Sequence, residues 1–204
     1  MVITYFGHQF FRVQFGDKII AFDPVSKDSK LKTSKFGADI ALISLKDADY
    51  NGAEQVNFGE RQAFVIDGPG EYEVNGVYIK GFASKGRGNK INTIYTVSLE
   101  GMNICFLGAL SNKEVSGETK EALGDIDILF TPIGGGEVLT SSEGYKLAVS
   151  LGAKLIIPMH YSNDATLKAF LKEGGDKSEP IDKLTLKKKD LEGKEGDIVV
   201  LQTA

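Results

Sequence analysis

The chain has 204 residues with 24 Lys and Arg against 28 Asp and Glu, a formal charge of −4, so no global basic field is available to hold nucleic acid or anionic lipid. Apolar residues at 42% and charged residues at 25% are globular values, and no apolar run approaches the roughly 20 residues that cross a bilayer, so one soluble domain over residues 1–204 is expected, without a membrane partner. The opening Met1-Val2-Ile3-Thr4 lacks the basic start and apolar run of a secretory leader, and the lone Cys105 allows no internal disulfide, which together lead to the expectation of a reduced, cytoplasmic protein.

Short β-rich runs recur at Ile3 to Phe6, Phe10 to Phe15, Lys18 to Phe22, Ile40 to Ser44, Ala63 to Ile66, Val77 to Gly81, Thr93 to Leu99 and Asn103 to Leu107. Each is bounded by Gly, Asp, Asn or Pro, the residues that supply turn geometry. Gly16-Asp17, Asn75-Gly76 and Glu100-Gly101 sit at hairpin spacing, which predicts an antiparallel meander for much of the first half. Beyond it the order becomes strand, helix, strand: Ile126 to Thr131, then Ser141 to Leu151, then Leu155 to Pro158. A further helix is predicted from Asp164 to Lys172, capped by Asn163, with Leu167, Phe170 and Leu171 on one face. Gly174-Gly175 ends it, and Ile198 to Leu201 reads as a closing strand.

Several segments have ordinary readings. The Lys-rich stretches Lys27 to Lys35 and Lys183 to Lys189 carry no aromatic stacking platform, so a solvated surface is expected there rather than a nucleic-acid groove. Gly134-Gly135-Gly136 and Gly68-Pro69-Gly70 follow strands but lack the Lys-Ser/Thr ending of a phosphate loop, so they read as tight turns. Cys105 lies within a strand and is expected to be a buried, inert thiol. No Gly-x-Ser-x-Gly elbow accompanies Ser44, Ser84 or Ser111, and Glu71 and Glu73 fit a solvated strand face better than a glycosidase pair.

Four segments in order resemble the metallo-β-lactamase superfamily, in its branch of lactonase-like and hydrolase-like members. Gly7-His8 with Ile19 to Pro24 is similar to that branch's opening Gly-His and its strand ending in Asp-Pro. Ala41 to Gly52 occupies the place of the metal loop, and Asn92 to Leu110 resembles a strand pair ending in Gly-Asp. Ile128 to Ile133 with Pro158-Met159-His160-Tyr161 resembles the closing strand and its final histidine ligand. The resemblance implies an α+β fold, a four-layer αββα sandwich, and a metal-bound hydroxide attacking a carbonyl or phosphoryl centre.

The ligands that this chemistry requires are mostly replaced. Active relatives carry His-x-His-x-Asp-His where this chain reads Leu45-Lys46-Asp47-Ala48-Asp49-Tyr50 after Ser44, and the chain has only two histidines, His8 and His160. No histidine stands in Gly81 to Lys90, and the bridging Asp falls on Ala109. What the resemblance leaves is a remnant metal set of Asp47, Asp49 and His160, with His8, Asp23, Leu45, Tyr50 and Ala109 lining the pocket. Zinc needs at least three tight protein ligands in a catalytic site, so no cofactor is expected, or one weakly held divalent ion: Mn, Mg, Zn or Ca. Asp47-Ala48-Asp49-Tyr50-Asn51-Gly52 also reads as the opening of a calcium loop, although the twelfth position is Phe58 instead of Glu. The expectation is a pseudoenzyme, a non-catalytic binding or scaffold protein. Its rivals are a hydrolase with one oxygen-rich metal at Asp47, Asp49 and His160, and a calcium-stabilised module. The sequence names no partner and no oligomeric state.

Overall fold

The computed structural model describes all 204 residues. In chain order the strands of the first half are β1 (Val2–Tyr5), β2 (Phe11–Phe15), β3 (Lys18–Phe22), β4 (Ile40–Leu42), β5 (Phe64–Ile66), β6 (Gly70–Val74), β7 (Val77–Lys85), β8 (Ile91–Leu99) and β9 (Met102–Phe106). There follow α1 (Gly117–Leu123), β10 (Ile128–Pro132), α2 (Ser141–Ser150), β11 (Leu155–Met159), α3 (Asp164–Glu173), β12 (Leu184–Thr185) and β13 (Asp197–Ile198). They form a six-stranded sheet in the order β12-β1-β2-β3-β4-β5 and a seven-stranded sheet in the order β13-β11-β10-β9-β8-β7-β6. The α+β architecture expected from the sequence is therefore present.

Period-two alternation sorts the strands onto two faces. Ile20 and Phe22 of β3, Ile40 and Leu42 of β4, Ile104 and Phe106 of β9 and Ile128 and Phe130 of β10 all enter the core between the sheets. The residues between them turn outward: Cys105 and Leu129 pack under α2 and α3 with Leu147, Ala148 and Phe170. Ala21 and Ala41 face an outer layer with Val25, Ala38 and Val56. That layer is irregular chain and one 3-10 turn, Ala53–Val56, where the family resemblance implies α-helix. Cys105 is fully buried, and desolvation pushes its thiol well above the usual range, as an inert thiol requires.

Turn chemistry is as the sequence predicts at the hairpins. Asn75-Gly76 and Glu100-Gly101 each place both residues at positive φ, the pairing of a two-residue turn that matches strand twist. The meander, however, is interrupted after β3, where β4 and β5 run parallel to it, and resumes from β6 to β9. Segment 23–39 is long enough for a crossover, and its apolar side chains, among them Leu31 and Phe36, cover the sheet instead of closing a hairpin. Helix α2 is capped by Thr140 in a reciprocal box with Glu143, and α3 by Asn163, whose side chain accepts from Thr166 N–H at 2.9 Å. Helix α1 was not legible in the sequence, since Leu123 is its one buried residue and no apolar stripe forms. The closing strand shrinks to Asp197–Ile198, with Leu201 held by an isolated bridge to Ile181.

Two local devices fix the strand ends that carry the site. Asp23 closes β3 at φ 43°, and its carboxyl accepts both Ser44 N–H and Ser44 Oγ–H at 2.6 Å, tying β3 to the chain leaving β4. Burial pushes this carboxyl up to about 8 despite the two Ser44 hydrogen bonds, which act the other way. Gly108, just after β9, sits at φ 60°, where a Cβ would lie 2.5 Å from Ser44 Cβ and 2.6 Å from Asn92 Oδ1. Only glycine fits both the backbone and the space.

An unfolded Asp releases its proton near about pH 4, whereas folded Asp23 holds it to about 8, so the folded state binds more protons between those values. Stability from this group is therefore full at low pH and falls as pH rises through that window. Asp23→Asn keeps an acceptor and cannot ionise. Denaturant midpoints measured from about pH 5 to about pH 8 should move in the variant's favour relative to wild type, and a pH-independent gap contradicts a proton held by Asp23. Gly108→Ala should lower stability by about 2–4 kcal/mol, from left-handed strain and overpacking together, in the same unfolding assay.

Candidate functional site

Parallel strands β3, β4, β9, β10 and β11 end at one edge of the sandwich, so the loops after them converge there with the β1–β2 and β7–β8 loops. His8 and His160, both at positive φ (55° and 59°), meet at this edge. His160 N–H donates to the His8 carbonyl, which also accepts from Tyr5 OH at 2.9 Å, and the two imidazoles lie edge-on with centroids 6.4 Å apart. The Tyr50 hydroxyl is hydrogen-bonded to His160 Nε2, and the two rings stack. Desolvation lowers His160 to about 4 and raises the Tyr50 phenol far above its usual range. Both are neutral near pH 7, and in either tautomer Nε2 is engaged: it accepts from the phenol when the ring proton resides on Nδ1, or donates to the phenol oxygen when it carries the proton itself. Either way this nitrogen is not free for a metal.

The loop after β4 carries the remaining predicted residues. Leu45, Tyr50 and Ala109 are all buried, and with Val138 they form a separate apolar cluster. Two of the three positions at which relatives present ligands are thus alkyl groups in contact with their neighbours. Asp47 and Asp49, on the same loop, are taken up by other partners. Asp47 Oδ2 accepts from Lys90 Nζ at 2.6 Å and Oδ1 accepts from Asp49 N–H at 3.2 Å. The Lys90 ammonium holds the Asp47 carboxyl below the usual carboxylate range. Asp49 Oδ1 accepts from Ser29 Oγ–H at 2.6 Å, and Oδ2 accepts from Arg87 Nη1 at 2.9 Å. Gln9 Nε2 donates to the Asp49 backbone carbonyl. Arg87 also donates through Nε to Glu137 at 2.7 Å, and its backbone N–H bonds the Ala109 carbonyl at 3.1 Å.

The structure therefore brings Leu45, Tyr50 and Ala109 together, sets His8 beside His160, and places Asp23 beneath them through Ser44. It does not gather Asp47, Asp49 and His160 into a donor set: no three His, Cys, Asp or Glu side chains are placed to hold one ion. A zinc ion here would have to displace Tyr50 from His160 and Arg87 from Asp49, and would gain only two or three ligands by doing so. The donor chemistry does not fit the family's metal pair. For calcium, the oxygens of Asp47 and Asp49 already face one ammonium and one guanidinium, Glu54 is engaged with Ser26 Oγ and Lys27 N–H, and Phe58 is exposed.

Arg87 and Lys90 are the site residues that sequence reasoning missed. Segment 81–90 contains no histidine, and two cations three residues apart read in sequence like any solvated turn, so nothing in it singles out Arg87 and Lys90 before their partners are known. Other readings are as expected: Glu71 is paired with surface Lys80, and Gly135 N–H is spent on the Leu139 carbonyl within a tight turn. Three cavities flank the edge: one of about 690 Å³ lined by Ser44, Lys46, Asp67 and Lys90, and two smaller polar ones. Of the latter, one of about 350 Å³ is lined by His8, Lys32, Tyr161 and Asn163, and one of about 360 Å³ by Lys85, Asn89, Asn112 and Glu137. Both lie at the lower end of volumes that enclose small ligands.

A family profile described as "Beta-lactamase superfamily domain" matches residues 2–160. A solved structure from Thermotoga maritima, classed as a Zn-dependent hydrolase of the metallo-β-lactamase superfamily, is 31% identical, with a TM-score of 0.81 over 98% of this chain and 99% of that one. A protein from Parabacteroides distasonis classed as a metal-dependent hydrolase is 20% identical (TM-score 0.68, 98% and 93% covered), and a metallo hydrolase from Ignicoccus hospitalis is 15% identical (TM-score 0.65, 91% and 99% covered). These last two show the fold alone. No curated protein matches the sequence. With most of its length matched by the family profile and nearly all of it aligned to a relative of that identity, the chain belongs to the metallo-β-lactamase superfamily.

Proposed function

We propose that this chain is a non-catalytic binding or scaffold member of the superfamily, a pseudoenzyme in which the metal-hydroxide machinery has been replaced by packing and internal ion pairs. The observation that carries this reading is the apolar plug of Leu45, Tyr50, Ala109 and Val138 at the ligand positions. Asp47, Asp49 and His160 are then the remnant of the metal loop, retained in structural roles. A hydroxide nucleophile at neutral pH needs a metal to lower the pKa of water, and the plug leaves neither donors nor a polar seat for one. The ligand would enter from the polar cavities beside the plug, where His8, Lys32 and Asn163 on one side and Lys85 and Asn112 on the other present hydrogen-bonding groups.

A second reading is favoured by kinship: the Thermotoga relative is classed as a Zn-dependent hydrolase. In it, a single ion held by Asp47, Asp49 and His160 would serve a hydrolase. Elemental analysis of protein purified without chelator, with turnover assays on ester, lactone and phosphodiester probes, separates the two. The pseudoenzyme predicts sub-stoichiometric metal and no chelator-sensitive turnover. One transition ion per chain, with activity lost to chelator and regained on adding it back, establishes the hydrolase, and tightly held calcium establishes a calcium module.

The plug also makes a stability prediction. Ala109→Asp restores the acid that relatives carry, but places a carboxylate against Leu45 and Val138, so it should cost about 2–5 kcal/mol in denaturant unfolding. Zinc should not recover that loss. Recovery by zinc would mean that the ligand positions still converge.

A further inference from the structure

We infer that Arg87 is a built-in replacement for the metal: its guanidinium is the fixed cation that pairs with two carboxylates of this edge, laces its loops together and keeps divalent ions out. The inference rests on the pseudoenzyme reading and deepens it by naming what holds the edge in place of an ion.

The geometry is that of a hub. Nη1 reaches Asp49 of the β4 loop at 2.9 Å and Nε reaches Glu137 of the loop after β10 at 2.7 Å, while the Arg87 amide reaches the Ala109 carbonyl after β9 at 3.1 Å. Asp49 extends the connection to segment 23–39 through Ser29 Oγ at 2.6 Å. One residue therefore couples three chain segments directly, two through its side chain and one through its amide, and a fourth through Asp49, the task that several ligands around an ion perform in relatives. A planar guanidinium suits it because its forked N–H groups serve two carboxylates in fixed directions, whereas an ammonium is a point charge on a flexible stem. Arg87 and Asp49 are each about one-third exposed or less (34% and 25%), so solvent screens the pair only in part.

The loop that supplies Arg87 also supplies Lys90 to Asp47 at 2.6 Å. Both carboxylates of the former metal loop are thus neutralised from one turn, Arg87–Asn89 and its following residue, which occupies the segment where relatives carry a histidine. A divalent ion at Asp49 would lie beside the guanidinium, which is 2.9 Å from Oδ2, and be repelled by it. Repulsion of that ion, and not merely the loss of imidazoles, makes the site refuse metal.

Arg87→Met removes the charge while keeping the bulk. It should lose roughly 3–8 °C in Tm and, unlike wild type, regain part of that loss with millimolar Mn²⁺. Arg87→Met combined with Asp49→Asn should lose the Mn²⁺ response, because the carboxylate that receives the ion is gone. Arg87→Lys should show a smaller loss and no response. Arg87→His places a third donor near Asp49 and His160 and should develop a Co²⁺ absorption band that wild type lacks. If Arg87→Met is recovered unfolded, the Co²⁺ titration of Arg87→His decides alone. A wild type without metal together with variants that ignore Mn²⁺ and Co²⁺ overturns this inference and leaves the pseudoenzyme reading standing. Stoichiometric metal in the wild type would instead remove the reading beneath it.

Discussion

Carboxylates gathered where strand ends converge must be neutralised, and this chain does so with its own cations. In an active relative the converging loops are held by ions whose ligands come from several strands. Here Asp49 faces Arg87, Asp47 faces Lys90, and the imidazole of His160 is hydrogen-bonded to a phenol. Asp47, Asp49 and His160 each have a protein partner, and on the proposed reading the edge is closed by these covalently attached groups. Ion pairs this exposed are individually worth about 1 kcal/mol or less, and the hub contributes more through the segments it connects than through any single contact.

Around those pairs the packing is consistent with the same account. Leu45 and Ala109 are apolar at positions where ligands would stand, and Tyr50 and Val138 complete their burial. An alkyl cluster and a metal pair are mutually exclusive occupants of one space, since each makes the environment hostile to the other. The framework is retained all the same. Asp23 still clips Ser44, Gly108 still permits close approach of Ser44 and Asn92, and Asn92 still orders the β9 end by accepting from Ala109 N–H at 2.8 Å. On the proposed reading it is the contents of the edge that set this chain apart, and these devices are what build it.

The fold was legible where one physical signal dominates. Strands β3, β4, β9 and β10 alternate or run continuously apolar because both of their faces are buried, and α2 and α3 announce themselves by caps. The parallel attachment of β4 was not legible, because a long irregular crossover and a long loop read alike in sequence. Helix α1 was missed because it exposes nearly all of its side chains and leaves no periodic apolar pattern, whereas β6 was foreshadowed by Glu71 and Glu73, which fall on its solvent side while Tyr72 and Val74 pack against the core. In the site, the loss of imidazoles could be counted directly. The arrival of Arg87 and Lys90 could not, since surface cations are common and their partners are chosen by how loops pack.

The most direct measurement is a crystal structure of the wild-type chain grown with millimolar zinc, with anomalous data collected at the zinc edge. The account predicts the Arg87 guanidinium within hydrogen-bonding distance of Asp49 and Glu137, Tyr50 on His160, and no anomalous peak among them. A strong peak coordinated by Asp49 and His160, with Arg87 swung away, would contradict it.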